Sequence, residues 1–78
     1  MKAYILIEAE VGKLNDVARE LRALPGVEAV DRTTGPYDII VVLTGADLNA
    51  IGDFAAVDIR GISGILRTLT CMVVGATE

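Results

Sequence analysis

The chain has 78 residues, 53% of them hydrophobic, and a formal net charge of −4. That length holds one domain around one core, the hydrophobic share excludes a disordered tail, and the acidic balance excludes the basic stripe of a free-standing nucleic-acid binder. With no histidine and only Cys71 as a thiol, neither a Cys/His zinc site nor an internal disulfide can form, so no metal or cofactor is expected.

Lys2 to Glu10 reads as a strand, with Ala3, Ile5, Ile7 and Ala9 on one face and Tyr4, Leu6, Glu8 and Glu10 on the other. Gly12 to Leu24 is an amphipathic helix: Leu14, Val17, Ala18 and Leu21 fall on one stripe, and the charged residues between them form a solvated face. Pro25-Gly26 stops it. A second strand is predicted from Val27 to about Thr34, with Val27 and Ala29 on one face and Glu28, Val30 and Arg32 on the other.

Thr33-Thr34-Gly35-Pro36-Tyr37-Asp38 is a turn that joins this strand to the next, Tyr37 to Thr44, as an antiparallel hairpin. Asp38 is the only formal charge between Arg32 and Asp47, at the mouth of the apolar run Ile39–Leu43. Its carboxylate is either a turn acceptor for nearby N–H groups or a ligand contact, and the turn taken alone favours the structural role. A second helix starts near Asp47, a reasonable N-cap, and carries Leu48, Ile51, Ala55, Ile59 and Ile62 at near-helical spacing, weakened by Gly52 and Gly61. The last strand runs from about Ile65 to Val74. Leu66, Thr68, Thr70, Met72 and Val74 share one face; Ile65, Arg67, Leu69, Cys71 and Val73 share the other. Cys71, among apolar neighbours, is expected to be a buried small hydrophobe rather than a nucleophile.

The order β-α-β-β-α-β, with Leu24-Pro25-Gly26-Val27 echoed by Ile62-Ser63-Gly64-Ile65, predicts an α+β, ferredoxin-like fold: a four-stranded antiparallel sheet with two helices on one face, as a single domain over residues 1–78. The other face is then a problem. Ile39–Leu43 is apolar on both sides, and Tyr4, Leu6, Met72 and Val74 are expected to add to the open side. A second copy covering that face, giving a sheet-to-sheet homodimer, is the simplest solution. The run is far too short for a membrane helix, which needs about 20 apolar residues, and a cytoplasmic protein with no membrane partner is expected.

Taken together, Leu24-Pro25-Gly26-Val27, Thr34-Gly35-x-Tyr37-Asp38, a helix opened by Asp47, and Gly64-Ile65-x-x-Thr68-x-Thr70 resemble the effector-binding (RAM) domain of the Lrp/AsnC regulators. The resemblance covers essentially the whole chain. It implies a dimeric α/β barrel that assembles further into rings, binds amino acids in clefts between dimers, and can associate with full-length Lrp/AsnC-type regulators. Full-length members carry an N-terminal helix-turn-helix domain; here a strand opens at Lys2, so a stand-alone sensor domain without direct DNA binding is expected. The resemblance carries the effector role to Thr34, Gly35, Tyr37 and Asp38 at the turn and to Thr68 and Thr70 in the last strand. An amino acid brings a carboxylate and an ammonium, which turn N–H groups, a carboxylate and threonine hydroxyls can satisfy. For the threonines, ordinary β-propensity is the plainer reading.

Two other readings stand beside this one. Dimeric ferredoxin-like barrels also host small enzymes, but without histidine only Glu8 and Glu10 offer acid–base groups here, and a solvated strand end explains them; no catalytic residue is expected. A purely structural oligomerisation domain with an empty turn is the third.

Overall fold

The computed structural model of the protein describes residues 1–75. The elements are β1 (Lys2–Ala9), α1 (Leu14–Arg22), β2 (Val27–Arg32), β3 (Ile39–Thr44), α2 (Leu48–Asp53) continued by a π-helical segment (Phe54–Ile59), and β4 (Ile65–Met72). The strands form one sheet in the order β2-β3-β1-β4, and every neighbouring pair is antiparallel. This is the ferredoxin-like arrangement that the element order predicts.

The core lies between the sheet and both helices. Ala3, Ile5, Ile7 and Ala9 of β1 and Ile39, Val41 and Leu43 of β3 meet Val17, Ala18 and Leu21 of α1 and Ile51, Ala55 and Ile59 behind β1 and β4. Each fully buried Ile, Leu or Val contributes about 1.5–3 kcal/mol by leaving water. The two predicted helix exits are both present: Gly26 and Gly64 adopt φ of 88° and 99°, a region where a Cβ is unfavourable.

The second helix changes pitch halfway. Arg60 donates its N–H to the Ala55 carbonyl at 3.3 Å, five residues back, which marks the wider π turn. Ile51, Ala55 and Ile59 recur at intervals of four, a spacing that drifts around an α-helix and stays on one face when the turn is widened. Leu48, predicted on the buried stripe, lies in the first turn and is 59% exposed.

Two edge-strand readings are corrected by β-bulges. In β2 the register shifts between Val27 and Ala29: Val27 pairs with Leu43, Ala29 with Val42 and Val30 with Val41. Val27 and Val30 therefore face the helices and Ala29 faces away, so Val27 and Ala29 do not share a side. In β4 the shift falls between Arg67 and Ile65. Met72, opposite Ala3, faces the helices rather than the open side; Leu69 and Cys71, opposite Leu6 and Tyr4, take its place. Cys71 is exposed in the chain, not buried. Val74 lies beyond β4 and is exposed. An extra residue inverts every side chain on one side of it, which is why period-two reading fails there.

The Asp47 cap is present: its carboxylate accepts the Ala50 N–H at 2.8 Å. Asp47→Ala is expected to cost about 1 kcal/mol, lowering the melting temperature by about 4–8 °C for a domain of this size. An unchanged melting curve would contradict this role for the cap.

Candidate functional site

The predicted site residues fall into two patches. The first is the β2–β3 turn. Thr33 donates its N–H to the Asp38 carbonyl at 2.9 Å and its hydroxyl to the Tyr37 carbonyl at 2.9 Å, closing the loop. Gly35 takes φ of 99°, which lets the chain reverse beside Pro36. Among the described residues, the N–H groups of Thr34, Gly35 and Tyr37 have no backbone partner. They are backbone donors left open at an exposed loop.

Asp38 ties this turn to β1. Its N–H donates to the Ile7 carbonyl at 2.9 Å, and its Oδ2 accepts the Ala9 N–H at 3.0 Å. The Ala9 N–H points to the β3 side of β1, one step beyond the last β1–β3 pair, Ile7–Ile39, so the carboxylate satisfies a donor that the ladder leaves open. It acts across strands rather than within its own turn. Tyr37 is half-buried, with the Arg67 guanidinium 5.4 Å from its ring centre; Arg67 also approaches Glu8 at 3.8 Å. Both charges of that pair are substantially exposed, so it orients Tyr37 more than it stabilises the fold.

The second patch holds Thr68 and Thr70. They pair with Ile7 and Ile5 and face the helices, lining a cleft of about 390 Å³ between β4 and the second helix. Leu48, Ala56 and Arg60 wall it from the helix side, and Met72 closes the strand side. Sequence reasoning missed all four of these. A lone arginine after a helix and an exposed leucine at a helix start carry no signal until the helix is laid against the edge strand. The volume lies at the low end of small-ligand sites. A second cleft, about 330 Å³, runs along the β2 edge beside Arg22 and contains none of the predicted residues.

One chain does not bring the two patches together. Thr68 on β4 and Ile39 on β3 flank Ile7 of β1, so they are two strand spacings apart, about 10 Å. The threonines face the helices, whereas the turn projects from the end of the β2–β3 hairpin.

The described residues contain no helix long and apolar enough to cross a membrane. Over 71 residues the chain is 35% identical to an HTH-type transcriptional regulator of Pyrococcus abyssi, an alignment spanning 91% of this chain and 45% of that protein. A weaker match of 37% over 57 residues falls on 12% of a homocitrate synthase of Sulfurisphaera tokodaii. Among solved structures, FFRP-DM1 is 30% identical with a TM-score of 0.89, covering 94% of this chain and 97% of that one. A Neisseria meningitidis transcriptional regulator in complex with L-Met shares the fold at a TM-score of 0.89 and 22% identity, over 99% of this chain and 51% of the regulator. Residues 2–77 match the Lrp/AsnC ligand binding domain, and the chain belongs to that family.

Proposed function

We propose that this domain is a non-enzymatic sensor that binds a small amino acid between two copies of the chain and links that binding to assembly. The observation that carries the reading is the threonine-lined cleft: Thr68 and Thr70, two strands away from the turn, line an open cavity of amino-acid size. The turn N–H groups at Thr34, Gly35 and Tyr37 serve the effector carboxylate. The ammonium is served by Asp38, whose carboxylate has acceptor capacity beyond the one bond to Ala9. Because the patches are separated within a chain, a single effector contacts the turn of one copy and the cleft of another. The L-Met complex of the Neisseria relative supports the choice of ligand class.

Assembly follows from the open sheet face. Tyr4, Leu6, Ile40, Val42, Leu69 and Cys71 form an apolar band there, none of them fully buried in the single chain. A second copy placed sheet to sheet removes that band from water. Ring assembly of such dimers, and association with full-length Lrp/AsnC-type regulators, extend the same reading; the domain itself makes no direct contact with DNA.

A panel of free amino acids screened by thermal denaturation tests the sensor. Ligand at a hundred times its dissociation constant stabilises by about 2.7 kcal/mol, a rise of about 10 °C or more for a domain of this size. If no amino acid at millimolar concentration shifts the melting temperature, the sensor reading fails.

A further inference from the structure

The β4 bulge re-aims one side chain toward the turn. Ile65 pairs with Ala9 and Arg67 with Glu8, so Leu66 is the extra residue. In an unbroken ladder Leu66 would stand opposite Glu8, and Arg67 would pair with Ile7 and face the helices. The bulge instead puts Arg67 on the open face at the Glu8 end of β1, with its guanidinium 5.4 Å from the centre of the Tyr37 ring. The next residue, Thr68, points to the opposite side and lines the cleft.

Tyr37 lacks any other anchor for its ring among the bonds of the loop. Those of Thr33 and Asp38 close the turn and dock it on β1, but each ends on backbone atoms, the Thr33 hydroxyl or the Asp38 carboxylate. None reaches the ring. Among the described residues the Tyr37 hydroxyl has no hydrogen-bond partner, and it is not buried. The ring is thus held by a cation while its hydroxyl stays open. A planar guanidinium suits that role, since it stacks on an aromatic face. Glu8, 3.8 Å from Arg67, supplies the compensating charge.

We propose that Arg67 is a positioning residue of the effector site. It holds Tyr37, and with it the N–H groups of the turn, in the orientation that receives the effector, and it acts through the ring without touching the effector itself. The proposal rests on the sensor reading and adds a residue to it. Ordering the turn before binding removes part of the cost of ordering it on binding.

Calorimetric titration of the full chain with methionine is the test, run on a double-mutant cycle of Arg67→Gln and Tyr37→Leu. Arg67→Gln is expected to weaken methionine binding about two- to fivefold, the value of an exposed cation–ring contact. Its melting temperature should stay close to that of the wild type. In the Tyr37→Leu background the same change should have no further effect. Nuclear magnetic resonance of the ligand-free chain gives a second readout. The Arg67 side-chain protons should be shifted upfield by the Tyr37 ring, and the shift should vanish in Tyr37→Leu. Unchanged affinity in Arg67→Gln, or an equal loss with and without the ring, would overturn the role while leaving the sensor in place. Absence of the upfield shift would overturn it even if Tyr37→Leu bound too weakly to titrate. If neither methionine nor any other amino acid binds the wild-type chain, the sensor reading falls and this role falls with it.

Discussion

Val42→Lys is expected to leave the chain folded and to make it monomeric. Val42 pairs with Tyr4 on one side and Ala29 on the other, at the centre of the open sheet face, and it is only half-buried in the single chain. In a two-fold sheet-to-sheet dimer the substitution appears twice in one interface. Burying an unpaired ammonium costs several kcal/mol even after relaxation. Two of them raise the dimer dissociation constant by at least about a thousandfold, since each 1.4 kcal/mol is a factor of ten. In the monomer the lysine simply projects into water, so far-UV circular dichroism should be preserved. Light scattering at low micromolar concentration is the measurement. A wild-type mass equal to one chain, or an unchanged assembly in Val42→Lys, would contradict the covered face.

Asp38→Asn is expected to separate the two roles of that carboxylate. Asn keeps the shape and an acceptor oxygen for the Ala9 N–H, now bonded at 3.0 Å. Stability should therefore fall only by about 1 kcal/mol, the charge assistance of that bond. Effector binding should fall by about 2–5 kcal/mol, because the ammonium loses its counter-charge, which abolishes a micromolar site. Asp38→Ala removes the acceptor as well, orphans the Ala9 N–H and costs stability by about 1–3 kcal/mol. Calorimetric titration with methionine beside the melting temperature distinguishes these effects. Unchanged affinity in Asp38→Asn with a lowered melting temperature would leave the carboxylate as a tie between β3 and β1 and nothing more.

The central strands are legible in the sequence because both neighbours and one helix layer constrain them. The alternation of Ala3, Ile5, Ile7 and Ala9 against Tyr4, Leu6 and Glu8 matches the structure residue for residue. The edge strands are less legible. Bulges at Glu28 and Leu66 break the two-residue period, and side chains on an edge are too mixed in character to reveal the break. Met72, Leu69 and Cys71 were misplaced for that one reason. The turn announces itself through Gly35-Pro36 and the isolated charge of Asp38. The partner of Asp38 does not, since Ala9 lies 29 residues away in the chain and its N–H is left open because the β1–β3 ladder ends at the Ile7–Ile39 pair. The cleft is a property of two elements packed together, so Thr68 and Thr70 could be named from family resemblance while Leu48 and Arg60 could not.

The most direct test is a crystal structure of the chain grown with saturating methionine. The predicted result is ligand density with its side chain against Thr68, Thr70 and Met72 of one copy and its carboxylate on the N–H groups of the Thr34–Tyr37 turn of another. An empty cleft at saturating ligand, or a ligand held wholly within one chain, would contradict it.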